Sequence, residues 1–83
     1  MFEMADSAAF ATFRRNVRRV MEDKKITQAK LSKRTGIQIP HISRLLAGGR
    51  EPRISTMERI AIGLEVPLAW LLVPDFEKSE IVA

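Results

Sequence analysis

Polar side chains able to recognise another molecule lie close together between residues 38 and 44. Gln38 carries an amide, Ser43 a hydroxyl and Arg44 a guanidinium group. Such groups can hydrogen-bond the edges of nucleic-acid bases and the oxygens of phosphates. For that chemistry to be available, the chain must hold these side chains outward on an ordered element.

The apolar residues around a single glycine predict that element. Leu31 precedes Gly36, and Ile37, Ile42 and Leu45 follow it. Glycine reaches left-handed backbone angles without steric cost, so the spacing predicts two short helices that meet at a tight turn. The apolar residues of the second helix form its buried stripe. Its outward positions are then Gln38, Ile39, His41, Ser43 and Arg44.

The ends of these helices also have sequence signals. Thr27 suits the cap of a helix that begins at Gln28, because its hydroxyl can accept a hydrogen bond from a free amide of the first turn. Proline disfavours helical angles in the residue before it, so the second helix is expected to start at Pro40 with Ile39 as the flanking residue.

Three more helices are predicted from periodicity and caps. Asp6 or Ser7 can cap a first helix that ends between residues 23 and 25, and its apolar positions are Phe10, Phe13, Val17 and Val20. Ser55 and Glu58 have the spacing of a capping box for a fourth helix. Pro67 suits the first turn of a fifth.

Taken together, these features resemble the helix-turn-helix of the lambdoid repressor and Cro class, also called the XRE family. The signature positions hold Thr27, Gln28, Leu31, Ser32, Gly36, Ile37, Ile42, Ser43 and Leu45. The resemblance continues through NVRRVMEDKKITQ upstream and PRISTMERIAIGLEVPLAWLL downstream, and it covers about residues 10 to 73. Many relatives have a glycine where Lys25 stands here, a departure that weakens the end of helix one and adds a charge near the DNA side.

The resemblance implies an all-α fold, a compact five-helix lambda-repressor-like DNA-binding domain with the helix-turn-helix at helices 2 and 3. We expect residues 1–9 to form an N-terminal arm and the start of helix 1, and residues 10–73 to form the DNA-binding domain. Residues 74–83 are expected to be a tail that either takes part in dimerisation or is disordered.

We expect the outward residues of the second motif helix to read bases. A glutamine can bond adenine and an arginine guanine in bidentate fashion, which makes Gln38 and Arg44 the best candidates. Arg44 could instead contact only phosphate. Ile39 could rest on a thymine methyl group or be ordinary surface, and His41 could contact a base edge or a phosphate, or be simply solvated.

The expected contacts to the DNA backbone come from Gln28, Ser43, Arg50 and Arg53. Gln28 lies at a helix N-terminus, where free amides favour an anion, although it could be an ordinary exposed glutamine.

Charge supports a polyanionic partner, because residues 14–53 hold twelve Lys or Arg against three acidic residues, a net charge of +9. The flanking segments are acidic, and the whole chain has a net charge of +4. The arginines at positions 14, 15, 18 and 19 could equally be the solvated face of helix 1.

A dimer interface is expected near the fifth helix, formed by Trp70, Leu72 and Phe76. Leu68 and Leu71 suffice for the core, so the large aromatic side chain of Trp70 could point outward and self-associate. It could instead cover the domain's own core. A dimer through this helix would present two recognition helices about 34 Å apart, which matches an approximate inverted repeat of double-stranded DNA.

Other classes of protein fit poorly. The chain has no cysteine and one histidine, so neither a thiolate metal site, a thiol nucleophile nor a cofactor site is expected, and an enzyme is the least fitting class. No stretch approaches the roughly 20 apolar residues of a membrane span. A helix that lies on a membrane surface needs a continuous polar face, and Thr12 and Asn16 interrupt that face of the first helix. A cytoplasmic location is therefore expected.

The hypothesis from sequence is a dimeric, sequence-specific transcriptional regulator, a repressor or autoregulator whose chain ends too soon after helix five for a ligand domain. A restriction-modification controller, or a DNA-binding antitoxin that binds a protein partner through the tail, would look the same. An adaptor that keeps the fold but binds proteins would bind DNA weakly and without sequence preference.

Overall fold

A computed structural model describes residues 7–49 and 51–74, and these residues form five helices and no strand. The helices are α1 (Ala8–Lys24), α2 (Gln28–Thr35), α3 (Ile39–Ala47), α4 (Ile54–Leu64) and α5 (Leu68–Leu71). This confirms the expected all-α fold. Residues 75–83, most of the expected tail, lie outside the described residues. None of the described helices combines the length and the hydropathy that crossing a membrane requires.

The long helix α1 begins and ends where the sequence predicts. The Phe10 N–H donates a hydrogen bond to the Ser7 hydroxyl at 3.0 Å, so Ser7 is the cap. At the other end Lys25 takes left-handed angles with φ of 57°, the conformation that favours glycine. Lys25 therefore terminates α1 at a conformational cost.

The turn between α2 and α3 also follows the prediction. The Thr27 hydroxyl accepts a hydrogen bond from the Lys30 N–H at 3.0 Å, and Gly36 has φ of 80°. Thr35 fixes the exit from α2, because its hydroxyl donates to the Leu31 carbonyl at 2.8 Å and accepts from the Ile37 N–H at 3.1 Å. The direction of α3 relative to α2 is thus set by hydrogen bonds on both sides of the glycine.

Three predicted helix starts are wrong in detail. α3 begins at Ile39 with Gln38 as its cap residue, and Pro40 is the second helical residue. Proline is tolerated there because the first N–H groups of a helix have no intrahelical partner. The capping box is absent, since α4 already begins at Ile54 and Ser55 lies inside it. Pro67 precedes α5 instead of lying in its first turn.

The core lies where the five helices meet. Its fully buried side chains include Phe13 and Val17 from α1, Leu31 from α2, Ile42 from α3, Ile60 and Leu64 from α4, and Leu71 from α5. Every described helix thus contributes an apolar side chain to a single cluster. Burial of this apolar stripe explains how helices as short as α2 and α5 stay folded.

Polar side chains of α1 and α2 bind the C-terminal ends of later helices. The Asn16 amide donates to the carbonyls of Leu71 and Val73, each at 3.0 Å, and so holds the end of α5. The Lys24 ammonium donates to the Leu64 carbonyl at 2.7 Å and the Arg34 guanidinium to the Gly63 carbonyl at 2.8 Å, both at the end of α4. Each bond satisfies a carbonyl near a helix end, where intrahelical donors run out.

Asn16 and Thr12 are buried, so the expectation that they interrupt a polar outer face of α1 is wrong. A buried amide is costly unless it is hydrogen-bonded. The carbonyls of the α5 end supply acceptors for Asn16, and this contact between α1 and the end of the domain explains why a polar residue is tolerated in the core.

Candidate nucleic-acid interface

Helix α3 has one buried face and one exposed face. Ile42, Leu45 and Leu46 are buried on the side that packs against the rest of the domain. All five residues expected to point outward are exposed, namely Gln38, Ile39, His41, Ser43 and Arg44. The fold thus holds α3 on the surface with its polar groups available to a partner.

An open groove runs beside the exposed face of α3. Gln38, His41 and Arg44 line it together, and Gly48, Gly49 and Pro52 of the following loop form its other side. The structure therefore brings three of the four expected base-reading residues to one surface. Ile39 and Ser43 do not line this groove.

Pro40 and Ala47 extend the exposed face of α3 beyond the expected set. Both are exposed, and with Arg44 they follow the three-and-four spacing that puts residues on one side of a helix. Arg44 therefore lies between two small apolar surfaces. Helical spacing alone could have indicated this grouping of Pro40, Arg44 and Ala47.

The expected backbone contacts occupy different helix ends. Gln28 is the first residue of α2 and is half-buried, and Arg53 is the exposed residue before α4. Ser43 is exposed on α3 itself. Arg50 lies outside the described residues.

Two of the four arginines left undecided by the sequence contact the end of α3. Arg18 donates a hydrogen bond to the Leu46 carbonyl at 2.7 Å. The Arg14 guanidinium lies over the Phe10 ring, 5.0 Å from its centre, and its central carbon would be 3.3 Å from a Cβ added at Gly48. These side chains are therefore more than a solvated face of α1.

The expected dimer surface is only partly within the described residues. Trp70 is 52% exposed and Val73 is also exposed, whereas Leu72 is half-buried and packs against the core. Phe76 lies outside the described residues. Trp70 therefore presents apolar surface at the end of α5, whereas part of the Leu72 side chain is already in contact with the core.

Comparisons with known proteins agree with this architecture. The sequence matches the family described as Helix-turn-helix over residues 17–71, which run from the middle of α1 to the end of α5. No curated protein sequence matches the chain significantly. A similar solved structure is the "hypothetical transcription factor NHTF from Neisseria", which is 20% identical with a TM-score of 0.79 over 99% of this chain and 97% of that one. At that identity the likeness is one of fold.

Proposed function

Because the chain belongs to the Cro/C1-type helix-turn-helix family of DNA-binding transcription regulators, we propose that it is a repressor that binds a specific DNA site as a dimer. In this proposal α3 enters the major groove and reads base edges, and the site is an approximate inverted repeat, often upstream of the regulator's own gene. The protein acts in the cytoplasm by occupying DNA and catalyses no reaction.

The observation that carries this proposal is the two-sided character of α3. Three residues bury one side of the helix, and Gln38, His41 and Arg44 line an open groove on its other side. An α-helix fits the major groove of B-form DNA, where each base pair presents a distinct set of donors and acceptors. A helix held at the surface by its apolar side is therefore suited to enter that groove.

We assign base reading first to Arg44 and Gln38, then to His41, which lines the same groove, and to Ile39, which is exposed on α3 outside that groove. The Arg44 guanidinium matches the paired acceptors of guanine, and the Gln38 amide matches adenine. Pro40 and Ala47 beside Arg44 are small enough to allow close approach and can contact thymine methyl groups. Gln28, Ser43, Arg50 and Arg53 are assigned to phosphates, where they position α3 without specifying sequence.

We assign dimerisation to the surface around Trp70. A half-exposed tryptophan offers a large contact area at small entropic cost, and Val73 adds apolar surface beside it. Two copies joined at α5 would align two α3 helices with successive turns of the major groove, about 34 Å apart.

The test is a fluorescence-anisotropy titration at two salt concentrations. The labelled DNAs are the region upstream of the protein's own gene, a site selected from random DNA, and a scrambled duplex. Log affinity should fall with log salt at about −0.9 per phosphate neutralised, and the specific site should bind about a thousandfold tighter than scrambled DNA. Equal and weak binding to all three would overturn the proposal and favour a protein-binding adaptor or antitoxin.

Two single-residue variants distinguish base reading by Arg44 from the mere loss of a positive charge. Arg44→Ala should weaken binding to the specific site by about 1–3 kcal/mol and relax the preference at one base position. Arg15→Ala is the matched control, because Arg15 is an exposed arginine of α1 outside the helix-turn-helix and its loss removes the same charge. A loss from Arg44→Ala that is equal for specific and scrambled DNA would assign Arg44 to phosphate.

A further inference from the structure

The end of α3 is attached to α1 through a main-chain carbonyl. The last carbonyls of a helix have no intrahelical donor and carry a partial negative charge. The Leu46 carbonyl lies in this last turn and accepts a hydrogen bond from Arg18 Nη2 at 2.7 Å. A hydrogen bond with a charged donor is shorter and stronger than a neutral one. Arg18 therefore fastens the end of α3 from a position 28 residues earlier in the chain.

Arg18 supplies the polar link at this place. Met21 and Leu46 line the crevice beside Arg18 and are apolar, so they make no ion pair between α1 and α3, and Glu22 and Gln28 line the same crevice. Of these residues, Arg18 has the hydrogen bond to α3. One turn before Arg18, the Arg14 guanidinium fills the space beside Gly48, directly after α3. Two arginines of α1 thus contact the final turn of α3 and the residue that follows it.

From this geometry we propose that Arg18 is a positioning residue for DNA recognition: it fixes the orientation of α3 by binding the Leu46 carbonyl, and it does so without contacting DNA. The proposal rests on the function proposed above. The N-terminal end of α3 is already fixed by the Gly36 turn and by Thr35. Arg18 fixes the opposite end, so the two attachments together define the helix axis.

The consequence for DNA binding follows from how distance affects each kind of contact. Hydrogen bonds to base edges tolerate only a few tenths of an ångström, whereas attraction to phosphates falls slowly with distance. A loosened α3 would therefore lose base contacts before it lost phosphate contacts. Arg18 should determine the ratio of specific to non-specific affinity more than it determines non-specific affinity.

The experiment compares Arg18→Met with Arg15→Met. Both changes remove one positive charge from the exposed surface of α1, but only Arg18 of this pair hydrogen-bonds the end of α3, so Arg15 serves as the control. In the free protein, amide hydrogen exchange is measured at Gly48, whose N–H donates to the Leu45 carbonyl at the end of α3. We expect faster exchange at Gly48 in Arg18→Met than in wild type, and no change in Arg15→Met.

The same variants are then titrated with the selected specific site and with scrambled DNA. Arg18→Met should lower the ratio of specific to non-specific affinity by about tenfold relative to Arg15→Met, with equal salt slopes in the two variants. Arg18→Lys keeps a charged donor on a different stem, so it should recover part of the ratio and part of the protection at Gly48. If Arg18→Met fails to fold, Arg18→Lys against Arg15→Lys gives the comparison at smaller amplitude, with a partial loss expected at position 18 alone.

Two results would overturn the positioning role. Unchanged exchange at Gly48 would show that the bond does not hold the end of α3. An equal loss on both DNAs with a salt slope reduced by about 0.9 would make Arg18 a phosphate contact. A wild-type protein without preference between the DNAs would instead refute the proposed function, and the exchange measurement would still decide whether Arg18 positions α3.

Discussion

The side-chain amide of Asn16 donates a hydrogen bond to the carbonyl oxygen of Leu71 at 3.0 Å and thereby joins α1 to the end of α5. The same nitrogen lies 3.0 Å from the Val73 carbonyl oxygen and 3.4 Å from that of Trp70. Asn16 is buried, so water does not readily replace these bonds. The placement of Trp70, and with it the proposed dimer surface, therefore depends on one polar residue of α1.

Replacing Asn16 should destabilise the protein and release α5. Asn16→Ala leaves carbonyls without their donor and opens a small cavity, and we expect a loss of about 2–3 kcal/mol in the free energy of unfolding. Urea unfolding measures it, with the single tryptophan, Trp70, as the fluorescent reporter. Asn16→Asp keeps the shape but removes the donor and should be equally or more damaging. An Asn16→Ala protein within about 0.5 kcal/mol of wild type would contradict this account.

Gly63 lies where α4 packs tightly against α2. A Cβ added there would lie 2.7 Å from Thr35 Cγ2 and 3.1 Å from Leu31 Cδ1, and both neighbours are buried. Thr35 cannot turn away without breaking its two hydrogen bonds. We expect Gly63→Ala to lower the free energy of unfolding by about 1–2 kcal/mol, because overpacking outweighs the better helix propensity of alanine.

A second change tests the cause of that loss. Thr35→Ser removes the methyl group but keeps the hydroxyl, so it should cost less in the Gly63→Ala background than in wild type. The double-mutant cycle in thermal unfolding gives the coupling between the two positions. Purely additive effects would show that the added Cβ does not clash with the Thr35 methyl group.

Replacing Lys25 with glycine should stabilise the protein. Its φ of 57° is left-handed, and such angles cost a residue with a side chain roughly 1 kcal/mol relative to glycine. Lys25→Gly should therefore raise the free energy of unfolding by about 0.5–1 kcal/mol, which corresponds to a midpoint higher by about 2–8 °C in a domain of this size. Glu65→Gly is the companion variant, since Glu65 has φ of 63° at the end of α4. If neither variant melts at a higher temperature, the left-handed angles carry no such cost here.

Trp70→Ser should weaken self-association while leaving the fold intact. Trp70 is 52% exposed, so its replacement should remove more contact area with a partner than contact area with the core. Sedimentation velocity over a range of concentrations should show a shift from dimer to monomer, with the circular dichroism of a helical protein retained. Ile62→Ser is the control, because Ile62 is 74% exposed on α4 and is not assigned to the interface. Equal dimer fractions in the two variants would remove Trp70 from the interface.

Much of the helix-turn-helix could be predicted from sequence because its signals are local. Thr27 is three residues from the amide it caps, and Gly36 takes its left-handed angles within a single turn. The buried and exposed sides of α3 follow from a period of 3.6 residues. These relationships connect residues within a few positions of each other, so their spacing is itself the evidence.

The same local signals predicted wrong helix starts where a residue fitted two positions of a helix equally well. Ser55 and Glu58 have capping-box spacing, but α4 starts at Ile54. Ser55 is therefore already helical and cannot be the cap. Pro40 suggested a later start for α3, although a proline fits the second helical position equally well. Such errors of one residue or so concern helix ends, where several starts satisfy the same free amides.

The five helices, the turn at Gly36 and the polar residues exposed on α3 could be predicted from the sequence. That Asn16, Arg18, Lys24 and Arg34 bind the ends of α5, α3 and α4 became visible only in the packed fold. The physical reason is that their acceptors are main-chain carbonyls, which every residue possesses. A bond to such an acceptor leaves no recognisable partner residue in the sequence, so it can be found only when the helices are placed in space.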